Sequence, residues 1–171
     1  MRKALLVIDI QNDYFSGGRF PLWNPEGALA AAEGAVGAAR AQGMPVILVQ
    51  HVADPSRGPA PFFNEGTEGV ALHPRILAAA PDAPVVVKRF ADSFDGTSLG
   101  GLLRDLEVDG LLVCGMMTQN CVTHTVLSKA AEAYAWTVLP DACASVSEAV
   151  HLIALSALSR RVPLLPVAEA F

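Results

Sequence analysis

The sequence predicts a three-layer α/β/α sandwich built on a parallel sheet, and three observations carry that prediction. Six short apolar runs, β-branched or Leu-rich and bounded by Gly or Pro, read as strands buried on both faces. Ala- and Leu-rich stretches with helical spacing separate them, an alternation that makes a parallel sheet covered by helices. Right-handed crossovers then leave few topologies open.

In chain order the strand candidates are ALLVIDI (4–10), PVILVQHV (45–52), PVVVKRF (84–90), GLLVCG (110–115), WTVLP (136–140) and VPLLPV (162–167). Helical patterns fill roughly 26–42, 70–80, 97–106, 119–134 and 146–159. The segment ADPSRGPAPFFNEGTEG (53–69) is the one long Pro/Gly-rich loop, a kind that is more often functional than idle. With 171 residues and no linker, repeat or low-complexity tract, one domain over 1–171 is expected, burying roughly two-thirds of the unfolded surface.

Composition excludes several classes of partner. A formal charge of −5 and an isoelectric point near 5.3 supply no basic field for a phosphate backbone, so no nucleic-acid partner is expected. The opening MRKALLVIDIQND imitates a signal peptide, but Asp9 interrupts its apolar run too early. No stretch approaches the ~20 apolar residues of a membrane span. Cys114, Cys121 and Cys143 are an odd set without a C-x-x-C pair, which fits free thiols in a reducing cytoplasm.

In sheets of this kind ligands bind beyond the carboxyl ends of the strands. That edge would collect Asp9 and Gln11 after the first strand, His51 after the second, Lys88 after the third and Gly115 to Cys121 after the fourth. Cys121 is either a small buried apolar residue or a nucleophile. If Thr118 caps the following helix, Cys121 lies in its first turn, where the helix dipole and a neighbouring cation such as Lys88 favour a thiolate. Asp9 within an apolar strand is costly unless paired or working, either in an ion pair with Lys88 or as a general base for the Cys121 thiol or a water. Backbone N–H groups around Met117 and Cys121 would be placed to bind an oxyanion.

Four segments in this order, LLVIDIQNDYF, VVVKRFADSFDGTSL, LLVCGMMTQNCVTHTV and VLPDACAS, resemble the isochorismatase-like cysteine hydrolase family, a match that extends over essentially the whole chain. The resemblance implies the isochorismatase-like hydrolase fold with a six-stranded parallel sheet and a catalytic triad of Asp9, Lys88 and Cys121. It also implies a cis peptide between Met116 and Met117 that turns the Met117 N–H toward the substrate oxygen, beside that of Cys121. The activity implied is cleavage of an amide, ureido or carbamoyl C–N bond of a small molecule through a Cys121 thioester, without a cofactor. Dimers or larger homo-oligomers are implied as well.

The chain departs from some relatives. Nicotinamidases carry a metal held by an Asp-x-His pair and a further histidine, whereas VQHVADPSRG offers His51 and Asp54 without that pair, so no metal is expected. Isochorismatases proper cleave a vinyl ether, and Cys121 argues for an amidase-type reaction. A short chain opening DYFSGGRFPL most resembles the small members grouped with streptothricin hydrolase. Alternatives are a degenerate member serving as a binding or assembly protein, and a thiol redox protein that would use Cys114.

Substrate-binding candidates are Phe15 and Phe94, each following a triad strand, with Gln11, His51 and Thr118. For His51 the readings are a bond to a substrate carboxylate or support of Asp9; for Thr118, a helix cap or a place in the site. Asp141 reads as a turn residue, Cys114 and Cys143 as core fillers, and His124 as facing either crevice or solvent. The glycines of SGGRF and DGTSLGG lack the spacing of a dinucleotide fingerprint.

Overall fold

The computed structural model describes residues 1–171. Five parallel strands form one sheet: β1 (Lys3–Ile8), β2 (Val46–His51), β3 (Val85–Lys88), β4 (Gly110–Met116) and β5 (Ala135–Ala144). Their spatial order is β3-β2-β1-β4-β5. The chain builds outward from β1 through β2 to β3, then returns to lay β4 on the other side of β1. The direction of winding therefore switches between β1 and β4, where open α/β sheets form their ligand crevice.

Burial explains why these segments are strands. Every residue of β4 and all but the first of β1 are buried, as the continuous apolar runs require of central parallel strands. Helix α1 (Pro25–Ala41) follows the αL residue Asn24, carries Pro at its start, and buries Ala28, Leu29, Ala32, Ala35, Val36 and Ala39 at helical spacing. Helices α2 (Pro74–Ala79), α3 (Leu99–Asp105), α4 (Thr123–Val126), α5 (Glu148–Leu158) and α6 (Val167–Ala170) complete the flanking layers. Ser147 caps α5 by accepting from the Val150 N–H.

Three expectations change. The sixth run, 162–167, is an edge attachment rather than a strand: it makes one parallel bridge, Val138 to Leu164, with Val138 N donating to Pro163 O and Leu165 N to Val138 O. Pro163 and Pro166 have no N–H to extend the ladder, so the sheet has five strands where six were expected. β5 runs beyond Pro140 to Ala144 through a bulge opposite Val113–Gly115. Asp141, in that bulge, accepts from the Val167 N–H at the start of α6.

The helix expected over 119–134 is broken into a π-helical turn (Thr118–Val122), the single turn of α4 and a 3-10 turn (Lys129–Ala133). Two β-branched threonines interrupt this stretch, and the Thr123 hydroxyl bonds back to Thr118 O, five residues before it.

Candidate active site

Gly115 sets the close approach of β4 to β1. It adopts φ 129°, and a Cβ there would fall on the Ile8 carbonyl, so a side chain is excluded both by conformation and by space. Beyond it the Met116–Met117 peptide is cis, and the chain enters the π-helical turn that carries Cys121. Asp9, at the end of β1, takes the left-handed conformation (φ 52°), a non-glycine exception of the kind found at functional sites. Lys88 closes β3.

These three side chains meet out of contact with water: Asp9 is 0% exposed, Lys88 1% and Cys121 1%. Lys88 Nζ lies 2.9 Å from Asp9 Oδ2, 3.2 Å from Cys121 Sγ and 3.1 Å from His51 Nδ1. It also donates to Phe90 O at 2.9 Å. Both Asp9 oxygens lack a directed hydrogen bond, although Lys88 forms an ion pair with one of them. A buried carboxylate in that state is free to receive a proton.

The electrostatics bear on one expectation. Burial, and then the Asp9 carboxylate, push the Cys121 thiol well above its ordinary pKa; Lys88 pulls the other way without prevailing. That direction runs against the thiolate that a helix start and a lysine favour from sequence. Desolvation outweighs the dipole of a single helical turn. Burial by itself lowers the Lys88 pKa, but Asp9 and Cys121 raise it further, and the net direction is up. Burial, and then Lys88, lower the His51 pKa, so the imidazole is neutral at pH 7. An ammonium facing a neutral ring must donate, which places the imidazole proton on Nε2.

Asp9, His51 and Cys121 are the one acid, imidazole and thiol group spaced for a metal, their ligand atoms all within 4.8 Å of one another. The Lys88 ammonium already contacts all three, so the donor set encloses a cation supplied by the chain. A metal ion would have to displace it, and the residues do not fit one.

Of the substrate-binding candidates, His51 alone joins the triad. Gln11 is wholly buried and committed to backbone: it donates to His51 O and Val70 O and accepts from His51 N, fixing the end of β2. Thr118 is buried and is not the cap, a position that Met117 takes. Its hydroxyl donates to Ala144 O and accepts from His151 Nδ1, tying the π-helical turn to β5 and α5. Phe15 packs tilted against His73 (4.4 Å between ring centres). Phe94 stacks on Tyr134 and meets Trp136. His124 is exposed, bonded to Asn120 O. Cys114 and Cys143 are buried in the core.

Sequence reasoning passed over Tyr14, Asp13 and His151. Tyr14 is 1% exposed, and burial, then Asp9 and Cys121, raise the pKa of its hydroxyl, which makes it a neutral wall of the site. Asp13 accepts from Arg19 N and Phe63 N and so holds loop 53–69 over β2. Phe62 and Phe63 pack with Tyr14 and Phe20 to complete the anchor. The run QNDYF contained the signal: an acid and a phenol immediately beyond a strand that ends in Asp9.

Comparison with known proteins follows the same outline. The model of the Isochorismatase domain matches residues 3–169. The chain belongs to the isochorismatase family. It is 38% identical over 181 residues to the uncharacterised isochorismatase family protein YddQ of Bacillus subtilis, covering 100% of this chain and 99% of that protein. It is 27% identical to the nicotinamidase of Escherichia coli, covering 85% of this chain and 84% of that one. The crystal structure of an isochorismatase hydrolase from Oleispira antarctica superposes with a TM-score of 0.87 at 35% identity, over 98% of this chain and 94% of the other. As an isochorismatase-family hydrolase, the chain is an enzyme whose Asp, His, Cys and Lys side chains lie together.

Proposed function

We propose that this isochorismatase-family hydrolase cleaves an amide, ureido or carbamoyl C–N bond of a small molecule through a thioester on Cys121, with no cofactor. The observation that carries the reading is the buried convergence of Asp9, Lys88 and Cys121, with one ammonium touching both carboxylate and sulfur. The relationship to a nicotinamidase supports hydrolysis of an amide.

Attack and deprotonation are coupled. As Sγ bonds the carbonyl carbon, the thiol proton passes to Asp9, whose Oδ1 has neither a hydrogen bond nor an ion pair. Lys88 stays protonated and offsets the negative charge, first on the carboxylate and then on the reacting centre. Backbone N–H groups of Met117 and Cys121 bind the oxyanion; that of Met117 makes no hydrogen bond elsewhere in the chain. The Asp9 acid then protonates the leaving nitrogen, the C–N bond breaks, and ammonia or an amine departs. Water gives its proton to Asp9 and adds to the thioester; the sulfur leaves and regains a proton, and the product carries the new C–O bond. The neutral His51 presents its Nε2–H to the substrate.

The test is ammonia release across a panel of primary amides, ureas and carbamoyl compounds with the wild-type and Cys121→Ala proteins. The substitution should abolish release, by about 10⁴-fold or more, with the fold intact. Turnover undiminished in Cys121→Ala overturns the scheme.

A further inference from the structure

The π-helical turn Thr118–Val122 carries Cys121 and follows directly on Met117. Turns of this i→i+5 geometry are rare, and contacts from outside the turn bear on where its N–H groups point. Within it, Met117 O accepts from Asn120 N (3.0 Å) and Val122 N (3.3 Å), and the Thr123 hydroxyl bonds Thr118 O. From outside, two side-chain ties join it to the end of β5. Thr118 Oγ1 lies 3.0 Å from Ala144 O and 2.9 Å from His151 Nδ1 on α5, while Ser145 Oγ donates to the Gln119 amide oxygen at 2.7 Å. Ala144 is the β5 residue in register with Met116, so the first tie fixes the chain where it leaves β4.

The proton positions follow from the chemistry of the partners. The Ala144 carbonyl only accepts, so it takes the single hydroxyl hydrogen, and the imidazole must donate its Nδ1–H to the same oxygen. His151 and Thr118 are both buried, and a buried hydroxyl that loses one partner is costly to leave unpaired. Trp23 packs against the imidazole, 5.7 Å between ring centres, and its backbone N–H donates to Ser145 O. The imidazole is thereby braced from the side opposite to α5's own backbone bonding, with no step of the hydrolysis assigned to it.

Resting on the hydrolase reading, we infer that His151 and Thr118 are a positioning pair for the reaction. The imidazole holds the hydroxyl, the hydroxyl holds the start of the π-helical turn, and the turn presents the Met117 and Cys121 N–H groups to the substrate oxygen. Both residues act through the backbone. An oxyanion hole works because its donors are aimed before the charge develops, so a turn free to shift loses rate more than substrate binding.

The experiment pairs each disruptive variant with a conservative one. Thr118→Val keeps the shape and removes the hydroxyl, and Thr118→Ser retains it. His151→Leu removes the donor, and His151→Asn returns an amide N–H near the place of Nδ1. Ammonia release is measured with the panel compound that wild-type protein turns over fastest, on protein shown to be folded by its thermal transition. Thr118→Val and His151→Leu should lower kcat by roughly 10- to 100-fold with KM within about threefold, and Thr118→Ser and His151→Asn should recover most of the loss. Folded Val and Leu variants that keep wild-type kcat, a loss confined to KM, or a loss that Ser and Asn do not recover overturns the inference. If wild-type protein releases ammonia from no compound, the hydrolase reading fails, and the pair is then read by hydrogen exchange over 117–122. Exchange quickened by Thr118→Val and restored by Thr118→Ser upholds the tether; exchange that neither moves overturns it.

Discussion

The Lys88 ammonium lies 2.9 Å from Asp9 Oδ2, and both side chains are wholly removed from solvent. In that setting each charge depends on the other, because removing one partner leaves the second buried and uncompensated. The pair therefore bears on stability as well as chemistry.

Asp9→Asn and Lys88→Met should each destabilise the fold by about 3–5 kcal/mol in urea denaturation. Asn accepts the left-handed backbone that Asp9 adopts, so its loss is one of charge and not of conformation. The double variant should regain part of the loss, since neither charge is then stranded. Losses that simply add would show that the two groups are not a coupled pair.

Acid should destabilise the protein through its histidines. Burial is the leading cause that lowers the pKa of His51, His73 and His151. A histidine held neutral in the fold binds fewer protons than its unfolded counterpart, whose pKa is ~6.5. Stability is full above that value and falls as pH drops below it toward the folded pKa. Thermal unfolding followed from pH 8 to pH 5 should show Tm constant to about 6.5 and falling beneath. His151→Gln should flatten the fall, and an unchanged slope would mean that this buried ring does not contribute.

Gly115→Ala should be among the most damaging single substitutions. The added methyl meets the Ile8 carbonyl, and the backbone sits at φ 129°. A loss of about 3 kcal/mol or more, or failure to fold, is expected. A soluble Gly115→Ala protein with wild-type Tm would contradict the close packing of β1 on β4.

Asp13→Asn should loosen loop 53–69 without touching the sheet. The carboxylate accepts from two backbone N–H groups, each such bond to a charged acceptor contributing about 1.5–3 kcal/mol. Hydrogen exchange at Phe63 and its neighbours should quicken while β1 and β4 keep their protection. Unaltered exchange in the loop would remove Asp13 from this role.

Much of the fold was legible because central parallel strands need long apolar runs, and β4 is apolar throughout while β1 and β2 carry such runs over Ala4–Ile8 and Val46–Val49. The same rule made Asp9 and Lys88 conspicuous, since charges at the ends of such strands need a reason. What escaped was governed by contacts distant in sequence. The Gln11 amide is occupied by the His51 and Val70 backbone, and Thr118 by Ala144 and His151, partners that no local pattern announces. The burial of Cys121 was hidden for a related reason: helix position is visible in sequence, whereas desolvation, which pushes the thiol pKa up, appears once the layers close. The fifth strand outran its pattern because a bulge accommodates Pro140 and Asp141, and the sixth fell short because two prolines withhold donors.

The most direct test of the site is the pH dependence of Cys121 alkylation by iodoacetamide in wild-type, Asp9→Asn and Lys88→Met proteins, read by peptide mass spectrometry with Cys114 and Cys143 as buried controls. The wild-type midpoint should lie above the ~8.5 of a free thiol. Asp9→Asn should lower it, because a charge that opposes the thiolate is gone, and Lys88→Met should raise it. A wild-type midpoint below the free-thiol value, or one that neither substitution moves, would contradict a neutral thiol held between carboxylate and ammonium.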